Sequence, residues 1–171
     1  PNEIYRLCAE KLSGQNPGNE GAYAVLFQSR LPRIAAAMLI GCALSLSGAA
    51  YQGIFRNPMV SPDLLGASAG AGFGAALGFL MELQVIGVQL LAFAFGILSV
   101  LITVFVSRLA GGRMENSPVL LVLSGIVVGA LFQAFISIIK YVADPFDTMP
   151  SISFWLMGGL TYVCLLYTSP S

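Results

Sequence analysis

The charged residues of this chain are bunched, and the stretches between them carry no charge at all. Five such stretches have 18 residues or more, at 34–55, 64–81, 83–107, 116–139 and 148–171. About 20 apolar residues cross a bilayer core of about 30 Å as a helix, so each of the first four can cross once. Because an ionised side chain at mid-bilayer costs about 2.5–3.5 kcal/mol on insertion scales, this segregation predicts an integral membrane protein.

The composition agrees with this interpretation. Hydrophobic residues make up 57% of the 171 residues and charged residues 9%, and the formal net charge is +0. Without a basic run, nothing indicates nucleic-acid binding. Cys8, Cys42 and Cys164 lack metal-ligand spacing, so no metal site is predicted. The chain has no His to activate Ser68 in "GASAG", and we predict that it is not an enzyme.

Proline and capping signals divide the chain into an all-α, polytopic bundle of transmembrane helices. Pro32 lies near the start of the first helix, Asn57-Pro58 ends it, and Ser61-Pro62-Asp63 opens the second. Ser117-Pro118 repeats the start signal. The predicted spans are 34–55, 64–81, 84–106 and 118–139.

Two segments flank these spans. Residues 1–33 are predicted to lie outside the bilayer and to include a short amphipathic helix, because apolar residues recur at helical spacing near the start of the chain. A fifth helix is predicted over 152–167. It runs into polar residues from about Thr161, so we expect the chain to be a fragment or to carry a foreign tail.

Glycines recur every four residues along the second span, at Gly66, Gly70, Gly74 and Gly78. Without side chains on that face, a neighbouring helix can approach closely, and packing of this kind drives association in lipid. Small residues from Gly41 to Gly53 repeat the pattern in the first span, and two glycines repeat it in the fourth. We therefore expect a tightly packed bundle, with structural packing favoured over a hinge role.

Polar residues inside the spans need hydrogen-bond partners or water. Ser45, Ser47, Gln52, Ser99 and Ser124 are of this kind, as are Gln133 and Ser137. Interhelical bonding accounts for most such residues. Gln133 and Ser137 are four residues apart and share one face of the fourth helix, a face suited to lining a wet pathway.

The stretches "RLPR" and "SGAAYQGIFRNPMVSPDLLGASAGAGFG" closely resemble the FecCD-type permeases, the membrane subunits of ABC importers for iron-siderophores, haem and cobalamin. "LVLSGIVVGALFQA" resembles the fifth helix of that family and "PSISFWLMGGL" the start of its sixth. The resemblance covers about 5–161. It implies that a full subunit has ten transmembrane helices and that this chain holds the second to the start of the sixth.

The resemblance also implies roles for particular residues. The fifth helix of the family lines the substrate path, which makes Ser124, Gln133 and Ser137 lining candidates and places Asn116 and Ser117 near the cytoplasmic gate. A structural role is implied for the residues that match the family motif, namely Arg30, Pro32, Arg33, Gln52, Arg56, Asn57, Pro58, Pro62, Gly66, Gly70, Gly74 and Gly78.

Orientation follows from the resemblance and not from charge. The positive-inside rule gives a tie, since Arg and Lys flank both sides of the spans equally. The resemblance places Arg56, Arg108 and Arg113 in the cytoplasm and residues 1–29 and 140–150 outside. The protein is accordingly expected in the inner (cytoplasmic) membrane as a multi-pass protein.

Partners and cargo are also implied by the resemblance. A second permease subunit, identical or different, two ABC ATP-binding subunits and a periplasmic or lipid-anchored substrate-binding protein are expected, besides membrane lipid. No Walker A sequence is present, so ATP and Mg²⁺ are expected on the partner ATPase and no cofactor on this chain. Iron-siderophore is the default substrate, with haem, cobalamin and oxyanions such as molybdate open.

A passive channel or a membrane scaffold without an ATPase is the alternative function. A channel should carry a ring of charges or a selectivity loop. Between residues 34 and 139 the charges are confined to the cytoplasmic turns and Glu82. This pattern favours the permease and leaves the alternative open.

Overall fold

The computed structural model describes residues 21, 24–58, 61–111 and 118–160. In that part the regular structure is helical, with α1 Leu31–Phe55, α2 Ala67–Leu80, α3 Val85–Gly111, α4 Pro118–Val142 and α5 Thr148–Met157. The chain divides into two compact units, residues 1–43 with 159–171 and residues 44–158. The predicted amphipathic helix and the predicted helical residues 161–167 lie outside the described residues.

The first helix begins earlier than the sequence predicted. A π-helical turn, Ala24–Arg30, runs directly into α1, and together they form an apolar stretch, Val25–Phe55, long enough to cross a membrane. The helix therefore continues to the N-terminal side of the predicted boundary at residue 33, because Pro32 at the second position of α1 interrupts nothing. None of the residues of α1 is buried within the chain.

The end of α1 lies where the Asn-Pro signal predicted it. Arg56 adopts a left-handed conformation with φ of 50°, and the Asn57 amide donates to the carbonyl of Gln52 at 3.3 Å. The side chain of Gln52 donates from Nε2 to the carbonyl of Pro58 at 3.1 Å. The backbone after α1 thus folds back on the last turn of the helix, and these hydrogen bonds end the helix there.

The second predicted span is broken and not continuous. A 3₁₀ turn, Pro62–Leu65, leads to Gly66 at φ 72°, and only then does α2 begin. The 14 residues of α2 extend about 21 Å, less than the thickness of a bilayer core. The single helix predicted over 64–81 is therefore wrong at Gly66, which the sequence pattern had placed inside a regular glycine repeat.

The later helices lie close to their predicted positions but end differently. α3 continues five residues beyond 106 to Gly111, and α4 starts at Pro118 as predicted and continues three residues beyond 139. Both are apolar and long enough to span a membrane. α5 starts four residues before 152 and stops at Met157, where Gly158 takes a positive φ of 72°.

The core of residues 44–158 forms around α2, which packs on α3, α4 and α5. Phe73 of α2 contacts the rings of Phe95, Phe132 and Phe135 at centroid distances of 5.0, 5.6 and 5.7 Å. These aromatic contacts join three helices at one point. Buried Ala76 and Ile152 extend the core towards α5.

Candidate translocation face and helix joint

Three of the four repeating glycines of the second predicted span lie in α2 and against α3. A Cβ atom on Gly70 would come within 2.6 Å of the carbonyl oxygen of Phe95, and one on Gly74 within 2.8 Å of the carbonyl carbon of Leu91. At Gly78 the nearest atom is the Cα of Val88 at 3.1 Å. The close helix approach predicted for this face is present, and at two positions it leaves no space for a side chain.

In the described ranges, no neighbouring helix lies close to the glycines of α1 in this way. A Cβ atom on Gly41 or Gly53 would meet no described atom within 4 Å. The tight packing predicted for that helix is therefore not seen among the described residues, although it is present between α2 and α3.

Two buried hydroxyl groups of α3 donate hydrogen bonds to the residues at the break before α2. Ser99 Oγ donates to the carbonyl of Gly66 at 2.8 Å, and Thr103 Oγ1 donates to the carbonyl of Leu65 at 3.0 Å. Both side chains are completely buried. The sequence identified Ser99 as a polar residue in need of a partner but missed Thr103. Its spacing of four residues from Ser99 was the available signal.

α4 packs against the other side of the same break. A Cβ atom on Gly66 would lie 3.2 Å from both the carbonyl oxygen of Gly125 and the amide nitrogen of Gly129. One on Gly125 would lie 2.9 Å from the Cα of Leu65. We call the three consecutive residues Leu64, Leu65 and Gly66 the joint, since α3 and α4 both contact it.

The three lining candidates of α4 do not lie together. Ser124 is buried, with 6% of its surface exposed, on the face that packs within the bundle. Gln133 and Ser137 lie on the exposed face, and Ser137 Oγ donates to the carbonyl of Gln133 at 3.0 Å. Nine residues separate Ser124 from Gln133, about two and a half turns, so the two side chains leave opposite sides of the helix. Ser124 therefore does not share a face with the other two candidates.

An open cleft of about 290 Å³ lies between the end of α1 and the start of α4. Its lining is apolar except for one amide side chain, and consists of Phe55, Asn57, Pro118, Val119, Val122, Leu123 and Ile126. Val119, Ile126 and Gln133 follow each other at intervals of seven residues. The cleft thus lies at one end of the same strip of α4 that carries Gln133 and Ser137.

The remaining predicted residues fall into two groups. Arg30 ends the π-helical turn, and Pro32 and Arg33 lie in the first turn of α1. Asn116 and Ser117, predicted near a gate, lie outside the described residues. In the described ranges, no group of three His, Cys, Asp or Glu side chains is placed to hold a metal ion.

This arrangement can be compared with known proteins. The model of the FecCD transport family matches residues 5–166. The chain belongs to the FecCD transport family. Its membrane-length helices and this membership make it a multi-pass protein of the inner membrane.

Relatives of this FecCD chain are named as permeases. It is 39% identical over 137 residues to the molybdate import system permease protein MolB of Haemophilus influenzae, covering 79% of this chain and 39% of that protein. It is equally 39% identical over 137 residues to an iron chelatin transport system permease protein of Helicobacter pylori, covering 80% and 40%. The chain therefore spans about two fifths of the length of these curated relatives.

A solved structure shares the helical frame. It is an inward-facing conformation of a metal-chelate type ABC transporter, with a TM-score of 0.75 and 34% identity. The match covers 87% of this chain and 46% of that one. The fold class predicted from the sequence, an all-α transmembrane bundle of the FecCD permease type, is confirmed.

Proposed function

We propose that the chain is part of the transmembrane permease subunit of an ABC importer. The likeness to the solved metal-chelate type transporter carries this proposal, because the same helical frame extends over 87% of the chain at 34% identity. The names of the curated relatives support it, since MolB is named as the permease of an import system and the Helicobacter pylori relative as the permease of a transport system. ATP and Mg²⁺ are bound by a partner ATPase, and the chain contributes no catalytic group.

The path for the substrate follows the exposed strip of α4. Gln133 supplies an amide and Ser137 a hydroxyl oxygen to this strip, which is otherwise apolar towards the cleft. A second permease subunit faces it and completes the path, since polar surface at membrane depth needs protein or water against it. A substrate-binding protein delivers the cargo from outside.

The proposed cargo is an iron-siderophore or a related metal chelate. The solved relative is named as a metal-chelate type transporter and the Helicobacter pylori relative as a permease for iron chelatin. MolB is named as a molybdate permease at the same identity, so the family fold accepts different cargo. Cobalamin, haem and molybdate are therefore the competing substrates.

Uptake by the reconstituted system tests the function. The full-length permease is placed in liposomes with its ATPase and binding protein, and uptake of a ferric siderophore, molybdate and cobalamin is measured with and without ATP. We expect ATP-dependent uptake of the ferric siderophore, and none when the Walker A lysine of the ATPase is replaced. Uptake that continues without ATP would instead support the passive channel.

Labelling along α4 tests the path itself. Cysteines introduced at Gln133 and Ser137 should react with a water-soluble thiol reagent, because both face the path. A cysteine at Ile138 is the control, since Ile138 is 58% exposed in this chain but lies about 100° around the helix from Ser137. Equal reaction at 137 and 138 would contradict the assignment of the strip.

A further inference from the structure

The joint before α2 combines features that a simple helix start does not need. In a continuous helix the carbonyls of Leu65 and Gly66 would accept amides from the following turn. The left-handed Gly66 changes the chain direction at this point. Gly66 keeps a helical bond from the amide of Gly70 at 3.0 Å, and its carbonyl also accepts the hydroxyl of Ser99.

Hydroxyl groups in membrane helices commonly bond within their own helix. Ser47 does so, donating to the carbonyl of Leu44 at 3.0 Å, and Ser137 does the same within α4. Ser99 and Thr103 instead donate across to another element, 33 and 38 residues away in the sequence. Both bonds are fully buried. Loss of the Thr103 bond would remove a buried donor from the carbonyl of Leu65, whereas the carbonyl of Gly66 would keep the amide of Gly70.

We propose that Ser99 and Thr103 are positioning residues for transport, which tie the joint to α3 so that the 3₁₀ turn moves together with α3 as well as with α4, on which it also packs. The glycines of α4 hold the opposite side of the joint by backbone contact. A rotation at Gly66 must therefore break a buried hydroxyl bond or separate Gly66 from Gly125. The proposal rests on the proposed function for its link to transport, but its structural part stands without it.

Amide hydrogen exchange tests this tie directly in the full-length permease. The reporters are the amides of Leu64 and Gly66, which donate to Ser61 and Asp63 within the 3₁₀ turn at 3.3 and 2.9 Å. Thr103→Val removes the hydroxyl and keeps the shape, and exchange at the reporters should rise about tenfold. Thr103→Ser keeps the hydroxyl and should exchange like the wild type.

The matched control is Ser47→Ala, which removes a hydroxyl bonded within its own helix and should leave the reporters unchanged. Increased exchange spread evenly over α2, α3 and α4 would show a merely structural role and overturn the proposal, as would unchanged exchange in Thr103→Val. If Thr103→Val does not accumulate, Ser99→Ala, which loses a single atom, is measured on the same amides.

The coupling of ATP hydrolysis to substrate uptake tests the role in transport. In liposomes with the ATPase and binding protein, Thr103→Val should lower the amount of substrate taken up per ATP hydrolysed at least about threefold, whereas Thr103→Ser and Ser47→Ala should match the wild type. An unchanged ratio in Thr103→Val overturns the role in transport. Failure of the proposed function is recognised separately, because the wild type itself would then take up none of the substrates.

Discussion

Arg56 and Glu82 hold a backbone conformation that side chains seldom adopt, with φ of 50° and 53°. At each one the next amide bonds back across the helix end, from Asn57 to Gln52 and from Leu83 to Gly78 at 3.0 Å for the latter. The left-handed conformation costs a residue with a Cβ atom about 1–2 kcal/mol relative to glycine. The helix ends are thus stable enough to impose it on charged residues.

Replacing Glu82 by Gly should raise the free energy of unfolding by about 0.5–1 kcal/mol, because it removes this conformational cost while the gain is partly offset by the freedom of glycine in the unfolded chain. Thermal unfolding of the full-length permease in detergent is the measurement. Gln84→Gly is the control, since Gln84 has no positive φ and should gain nothing. A Glu82→Gly protein no more stable than the control would contradict the strain at this residue.

Gly74 and Gly96 offer a second comparison of single atoms. A Cβ atom on Gly74 would lie 2.8 Å from the carbonyl carbon of Leu91, whereas one on Gly96 would lie 3.5 Å from its nearest neighbours. Gly74→Ala should destabilise the permease by about 1–3 kcal/mol through overpacking. Gly96→Ala should be neutral or slightly stabilising. Detergent melting of both variants is the test, and equal melting temperatures would contradict the close approach of α2 to α3.

At the scale of the helices, the sequence predicted which helices exist and where they lie better than it predicted whether each helix is continuous. The apolar runs and prolines placed α1, α3 and α4, since length and charge alone decide whether a helix crosses a membrane. The break at Gly66 was not predictable from the glycine repeat, because it depends on the hydroxyls of Ser99 and Thr103 and on the backbone of α4. These partners come from distant parts of the chain.

In the candidate site too, the local spacing of residues was predictable from the sequence and their contacts with distant helices were not. The i, i+4 spacing of Gln133 and Ser137 correctly predicted that they share a face of α4. Ser124 was grouped with them by the resemblance of the whole helix to the family, without regard to its angle on the helix. Ser124 differs from the other two residues in being buried. Its burial depends on which side of α4 packs against α2 and α3, and the sequence of α4 alone does not show that.

One carboxylate binds the turn that precedes α5. Asp144 Oδ1 accepts the amides of Phe146 at 2.7 Å and Asp147 at 3.3 Å. Asp144→Ala should remove this turn and weaken α5 locally by about 0.5–2 kcal/mol, as the loss of a helix cap does. Hydrogen exchange over 146–151 is the measurement. Asp147→Ala is the control, because the side chain of Asp147 makes no capping bond. Equal effects of the two substitutions would exclude a special role for Asp144.

At the scale of the molecule, the orientation in the membrane is a proposal that labelling tests. With Cys8, Cys42 and Cys164 replaced, a cysteine at Phe146, which is 94% exposed, should react with an impermeant thiol reagent added outside. A cysteine at the exposed Asp63 should react only after the membrane is opened. The reverse pattern would invert the topology implied by the family resemblance.

The shortness of α2 determines how the protein can enter a membrane during synthesis. A helix of 14 residues is too short to cross the bilayer core alone, whereas the apolar stretch that ends with α1 is 31 residues long and can partition as soon as it leaves the ribosome. α2 is therefore expected to remain at the translocon, not inserted in lipid, until α3 has been synthesised. We expect α2 and α3 to insert as a pair, so that a ribosome stalled before residue 100 would hold a nascent chain in which α1 is embedded in lipid and α2 is not.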